Sequence, residues 1–444
     1  MRFKGKTIFW FWLCFFGISS AIACKNVPSA EEKKQQLSKQ ILESKANNPR
    51  PVGNVLTGAD KFIATKISEL AGKKVGVLTN HTAVLRDGRH LIDALLEAKV
   101  AVKKVFSPEH GFRGTADAGE KVNSSTDAKT GLPIISLYGN NKKPTPEQLA
   151  GIDVLVFDIQ DVGTRHYTYI SSLTYLMEAC AEQKKPLIIF DRPNPNGWYV
   201  DGPVMEKSYT SFIGMHTVPI VHGMTTGEYA KMVNGEGWLK GGVKCNLLVI
   251  PCENYHHVMK WTDTGLAWIA PSPNMGSDYA AFLYPILCWY EATPVSVGRG
   301  TDEAFTILGA PWHKNFGKHS GIGDNSSFGL TWEIFDFTPR SIVGKAKNPP
   351  FQDKTCQGIR FMSTADGKNL FLAGISLLQA FYQSYQKSGQ TKPFFIEGTE
   401  KWTGYSNFRN EISSQKSPEE IYQSWQPKVT AFKAIRKKYL FYEE

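Results

Sequence analysis

The chain has 444 residues, 42% of them hydrophobic and 12% aromatic, with a formal charge of +10. That composition excludes a disordered chain, no internal repeat or long low-complexity tract is visible, and the length allows two or three domains of roughly 100–200 residues. The basic balance suits anionic partners, and the absence of an RNP-type motif, a zinc finger or a basic helical stripe gives no reason to invoke nucleic acid.

The first element is a basic n-region, MRFKGK, followed by the apolar run TIFWFWLCFFGISSAIA. Residues 1–23 therefore read as a secretory signal. Small residues precede Cys24 in the order Ala21-Ile22-Ala23-Cys24, which resembles a bacterial lipobox with Ala21 in place of the usual Leu. The expectation is export to the periplasm or cell surface with a lipid on Cys24. A plain cleaved signal, or one membrane-spanning helix, are the alternatives. Losing Arg2, Lys4 and Lys6 with the signal lowers the charge from +10 to +7. Polar residues 24–52 read as a tether.

From Lys73 onward apolar runs alternate with helical patterns. KVGVLTN (74–80), VAVKKVFSPE (100–109), LPIISLYG (132–139), VLVFDIQD (154–161), PLIIFDRPNP (186–195) and CNLLVIPC (245–252) read as strands. RDGRHLIDALLEAK (86–99), TPEQLAGI (145–152), YTYISSLTYLMEACAEQ (167–183) and TTGEYAKMVNGEGWL (225–239) read as helices. Strands with almost no polar alternation, separated by helices, indicate a parallel sheet covered on both faces. Residues 53–255 are thus expected to form a Rossmann-like α/β domain.

Residues 256–444 read as a smaller α+β domain. YAAFLYPILCWYEA (279–292) is helical, with Pro285 bending or interrupting it. GIRFMSTA and PFFIEGT alternate weakly, and NLFLAGISLLQAFYQSYQ (369–386) is amphipathic. Ser417 with Glu420 forms a capping box for the last helix. Cys180, Cys245, Cys252, Cys288 and Cys356 lack CxxC spacing and sit mostly in apolar contexts, so they read as buried free thiols. A Cys245–Cys252 bridge would have to span a seven-residue strand, too far if that strand is extended.

In doubly wound sheets ligands sit beyond the carboxyl ends of the strands. Four of these ends carry polar loops: Thr79-Asn80-His81-Thr82, Ser107-Pro108-Glu109-His110-Gly111, the run from Asp158 to Tyr167, and the run from Asp191 to Gly197. GxGxxG, GxxxxGK[ST], HExxH and GxSxG are all absent, which disfavours a nucleotide site, a zincin and a lipase-type hydrolase. His256 and His257 are adjacent, so regular strand geometry would point them to opposite faces, away from a common metal. Carboxylates, Arg, Asn, His and aromatics remain, the equipment of glycoside hydrolysis.

The series TNHT, SPEHGFRG, FDIQDVGTRHYTY, DRPNPNG, PSPNM and VSVGRGTDEAF resembles the family once called domain of unknown function 1343, which includes exo-β-N-acetylmuramidases. The resemblance runs from about Gly53 to the C-terminus. It implies a Rossmann-like domain, a smaller C-terminal domain and an active-site cleft between them. The implied substrate is terminal non-reducing MurNAc on peptidoglycan fragments (MurNAc-GlcNAc), and no metal or organic cofactor is implied. The oligomeric state is left open.

On these motifs Glu109 is the expected catalytic acid, a turn-bonding glutamate being the alternative. A carboxyl that stays protonated near neutral pH needs desolvation, which Phe106, Pro108 and Phe112 flank closely enough to supply. His110 either orients Glu109, bonds a sugar hydroxyl, or is satisfied within its turn. Glu291, at an acidic position of the family, is the candidate second carboxylate. Arg165, His166 and Tyr167 open a helix and suit the lactyl carboxylate of MurNAc. Arg299, between two glycines, is a second candidate for that group. Asn80, His81, Asp158, Gln160, Arg192, Asn194 and Asn196 are candidate hydroxyl or acetamido contacts, each with turn bonding or bracing as the alternative. Asn274, with Ser272 and Pro273, is expected in the cleft wall. A non-catalytic murein-binding lipoprotein and, more remotely, a metal-dependent hydrolase are the competing functions.

Overall fold

The continuous apolar runs of the first half become neighbours in one sheet. A computed structural model describes residues 53–113, 124–313, 330–364, 369–414 and 416–444; the signal, Cys24 and the whole of the tether lie outside the described residues. Strands β1 (Lys74–Thr79), β2 (Ala101–Ser107), β3 (Ser125–Thr126), β4 (Pro133–Ser136), β5 (Val154–Asp158), β6 (Leu187–Phe190) and β7 (Leu247–Ile250) take the order β3-β4-β2-β1-β5-β6-β7. All the pairings are parallel except that of the two-residue β3 with β4. Every residue of β5 and β6 is buried, as a sheet covered on both faces requires. The chain leaves β1 towards β2 and β4 on one side and β5 to β7 on the other, so the order reverses between β1 and β5. Thr79 pairs with Asp158 and Ser107 with Ser136, which aligns the carboxyl ends on one rim.

Helices α1 (Gly58–Thr65), α2 (Leu91–Glu97), α3 (Pro146–Leu149), α4 (Tyr169–Glu182) and α5 (Thr226–Gly235) belong to this half. Helix α1 was not expected, although Thr57 and Asp60 form a capping box visible in the sequence as T-x-x-D. The pattern over 86–99 yields a helix only from Leu91. Arg89 is drawn into a turn by the Leu85 N–H at 2.8 Å, and His90 Nδ1 then caps the helix by accepting from the Ile92 N–H.

The second half holds α6 (Asp278–Leu287), which continues as a 3-10 turn over Cys288–Ala292, and an antiparallel sheet of β8 (Ile307–Ala310), β9 (Leu330–Phe337) and β10 (Cys356–Thr364) in the order β8-β10-β9. Helices α7 (Leu370–Lys387), α8 (Thr399–Thr403), α9 (Phe408–Ser413) and α10 (Pro418–Arg436) follow. The capping box of Ser417 and Glu420 is present. PFFIEGT is not a strand. Phe394 and Phe395 are buried against other aromatics, and the segment turns into α8.

One apolar core runs from Leu78, Phe106 and Phe157 through Tyr229 and Trp289 to Phe381 and Phe432, so both halves share their packing. A second core, with Val77, Val105, Val156 and Phe190, fills the other side of the parallel sheet. The five cysteines after Cys24 are free and buried.

Candidate active site

Strand β2 ends at Ser107, and the chain turns at once. His110 (φ 69°) and Gly111 (φ 76°) both hold left-handed backbone, a region histidine enters more readily than most residues. The turn carries the half-buried Glu109 to a pocket. Thr168 Oγ1 donates to Glu109 Oε2 at 2.8 Å. The Tyr138 hydroxyl bonds the same carboxyl; burial first, and then the Glu109 charge, push that phenol well above its ordinary value.

The first half also contributes His110, His166, Tyr167, Tyr169 and Ile213 to this pocket. From the second half come Ser272, Met275, Tyr284, Glu291, Arg299, Phe305 and Trp402. Glu291 stands in the 3-10 turn after α6, and Arg299 Nε donates to its Oε1 at 2.6 Å. The Arg299 guanidinium lies over the Phe305 ring, 5.0 Å from its centre. Its neighbours Gly298 and Gly300 (φ 81° and 84°) serve the main chain. A Cβ on Gly298 would meet Ile307 at 2.5 Å, and one on Gly300 the Arg340 carbonyl at 2.6 Å. Tyr167 packs edge-on against Tyr169 and Tyr284, with centres 5.1 and 5.9 Å away, and burial raises all three phenols. The pocket therefore joins two carboxylates, one cation and several hydroxyls with apolar walls.

Phe106, Pro108 and Phe112 do not line it. Phe106 belongs to the core, and Phe112 packs edge-on against His90, 5.4 Å away. The apolar walls come instead from Ile213, Met275 and Phe305, far from Glu109 in sequence. Arg113 pairs with Asp127 and stays about half exposed.

Of the expected site residues, Glu109, His110, His166, Tyr167, Glu291 and Arg299 meet in this pocket. The others have structural partners. Asn80 is fully buried; its Oδ1 accepts from the Thr82 amide and hydroxyl, and its Nδ2 donates to the Tyr169 hydroxyl. His81 Nε2 contacts the Ala270 carbonyl at 2.8 Å, and burial lowers its pKa. Asp158 is paired with Arg192 through both carboxylate oxygens, beneath the rim; burial works against the carboxylate and the guanidinium offsets it. Gln160 Nε2 donates to the Asp161 and Pro193 carbonyls. Asn194 Nδ2 donates to the Met224 carbonyl. Asn196 Nδ2 donates to the carbonyls of Val162 and Ala281, both at 2.8 Å. Ala281 needs that donor because Pro285, four residues on, has no N–H to give it. Asn274 Nδ2 donates to the Lys345 carbonyl. Arg165 is fully buried and spends its guanidinium on four main-chain carbonyls instead of facing the pocket.

Residues of the site that were not singled out from sequence include Thr168, Tyr169, Tyr284, Trp402 and the apolar Ile213, Met275 and Phe305, with Tyr138 bonded to Glu109 beside them. Thr168 lies inside the quoted motif FDIQDVGTRHYTY, where a threonine at a helix start reads as a cap; it makes no cap hydrogen bond.

The family model described as exo-β-N-acetylmuramidase NamZ, N-terminal, matches residues 75–279, and its C-terminal counterpart matches residues 282–442. The peptidoglycan β-N-acetylmuramidase NamZ of Bacillus subtilis (strain 168) is 36% identical over 392 residues, covering 87% of this chain and 91% of that protein. Two crystal structures of DUF1343 family proteins from Bacteroides fragilis NCTC 9343 are similar. One is 39% identical with a TM-score of 0.74, the other 31% identical with a TM-score of 0.79, and each comparison covers 88% of this chain and 100% of that chain.

Proposed function

The chain belongs to the NamZ exo-β-N-acetylmuramidase family, and from that premise we propose that it hydrolyses the β-glycosidic bond of terminal non-reducing MurNAc on peptidoglycan fragments, with Glu109 as proton donor. The observation that carries this reading is the shared pocket of Glu109, held by Thr168, and the Glu291–Arg299 pair. Glu109 protonates the glycosidic oxygen as the bond to the leaving sugar breaks; water then bonds to the anomeric carbon, and the proton it releases restores Glu109. Glu291 is already charge-compensated by Arg299, which suits it to orienting that arginine. Arg299 in turn recognises the lactyl carboxylate, an anionic group absent from GlcNAc. Tyrosine hydroxyls around the pocket offer bonds to sugar hydroxyls.

The decisive assay is release of free MurNAc from a MurNAc-GlcNAc disaccharide or a chromogenic MurNAc glycoside. Release of GlcNAc from GlcNAc glycosides, with none of MurNAc, would refute the specificity. The signal-like residues 1–23 and Cys24 support export and lipid anchoring. A Cys24→Ser variant is then expected in the soluble fraction and without fatty-acid label, and retention of label would refute the anchor.

A further inference from the structure

We propose that Trp402 is the platform on which the substrate's pyranose ring rests, and that Arg165 and His166 are positioning residues that hold it there. The proposal rests on the muramidase reading and names one subsite within it.

Trp402 stands near the end of α8, a helix of only five residues. Its last carbonyls have no helical donors. Arg165 Nη2 supplies them, donating to the Trp402 carbonyl at 3.2 Å and the Thr403 carbonyl at 3.1 Å. Its Nη1 donates to the Pro203 and Val218 carbonyls at 2.7 and 2.9 Å. Among the described residues no carboxylate bonds this cation, and burial lowers its pKa to about 10. A buried charge answered by dipoles alone is an expensive way to fasten five residues. Gly404 makes the approach possible. It holds φ 97°, and a Cβ there would stand 2.8 Å from Nη2.

His166 grips the same carbonyl. Its Nε2 bonds the Trp402 oxygen, and because a carbonyl only accepts, that nitrogen carries the proton. Nδ1 is then bare and faces the Cys288 thiol at 3.2 Å, a thiol that also reaches the Pro285 carbonyl at 3.3 Å. The imidazole is neutral and fully engaged, which leaves it no proton-transfer task. Its ring also lies against the indole, with centres 6.0 Å apart and planes 21° from parallel. With one face on His166, the half-buried indole lines the same pocket as Glu109, Glu291 and Arg299. An apolar ring surface beside charged and hydroxylated groups fits the C–H face of a sugar whose edges bear polar substituents.

Two measurements test this: titration of MurNAc-GlcNAc into the full chain carrying Glu109→Gln, and steady-state kinetics on a chromogenic MurNAc glycoside. Trp402→Ala is expected to weaken Kd and raise KM about tenfold or more while kcat moves less than about threefold, and Trp402→Phe to recover most of the loss. Arg165→Lys is expected to do the same, with no further loss when combined with Trp402→Ala. Kd for Trp402→Ala within about twofold of the parent overturns the platform. Additive losses in the double variant overturn the positioning role. If Arg165→Lys does not fold, Gly404→Ala, which crowds Nη2 away from the same carbonyls, replaces it in the cycle. A parent chain without turnover defeats the muramidase reading, whereas the titration still decides the platform.

Discussion

Thr168 donates its hydroxyl to Glu109 Oε2 across 2.8 Å and ties the end of β2 to the start of α4, 59 residues away in sequence. Together with the Tyr138 hydroxyl, this bond holds the plane of the carboxyl, so its acidic proton has a defined direction. A general acid works only where its proton points at the leaving oxygen, and small displacements of such a group are costly.

Thr168→Val keeps the shape and removes the hydroxyl. It is expected to lower kcat about tenfold with little change in KM, since the lost bond orients the acid and does not touch the ligand. Thr168→Ser restores the donor and should return most of the rate. Steady-state kinetics on a MurNAc glycoside decide it: a rise in KM with unchanged kcat would place Thr168 in binding.

Glu109→Gln preserves size and hydrogen-bonding reach but carries no transferable proton. Turnover of MurNAc-GlcNAc is expected to fall by about 10²–10⁴ while affinity persists. An aryl glycoside, whose leaving group departs without protonation, should suffer less in bond cleavage. Equal losses on both substrates would argue against an acid role, and unchanged turnover would make the chain's activity independent of this carboxylate.

How far the sequence disclosed this arrangement depends on the range of each contact. Strand β2 and its end were legible because an apolar run followed by Ser-Pro-Glu-His-Gly has a local cause. What the four polar strand ends do was not. Asn196 reads like a sugar ligand, yet its amide serves a carbonyl 85 residues away that Pro285 leaves without a donor. Arg192 reads the same way and is paired with Asp158. Such partners are set by tertiary packing, and turn-forming residue types give no hint of them. Strand β9 escaped notice because its burial lacks a two-residue period. Trp402 escaped because a five-residue helix has too little pattern to mark the face it presents.

Arg299→Met removes the guanidinium and keeps much of the aliphatic bulk. Charge-assisted bonds of this kind contribute roughly 1.5–3 kcal/mol. kcat/KM for the MurNAc glycoside should therefore drop about 10- to 100-fold, whereas any turnover of a GlcNAc glycoside, which has no lactyl group, should change little. Equal losses on both sugars would mean that Arg299 acts through Glu291 alone.

Asp161 supplies a stability prediction independent of the catalytic pocket. Its Oδ1 accepts from the Gly163 N–H at 2.8 Å, but its buried Oδ2 has no partner among the described residues, and burial raises its pKa from 3.8 to about 7. Between those values the folded carboxyl keeps its proton while the unfolded one has lost it. The folded state then binds more protons, so stability falls as pH rises through this window and levels off above about 7. Asp161→Asn keeps the Oδ1 acceptor and is neutral at every pH. Its stability relative to the parent should therefore improve with rising pH, by at most about 4 kcal/mol between pH 4 and pH 8. Because Asp191, raised to about 6 for the same reason, is common to both proteins, the difference between them isolates Asp161. Urea midpoints measured across that range provide the check, and parallel curves for the two proteins would show that the carboxyl ionises in the folded state without penalty.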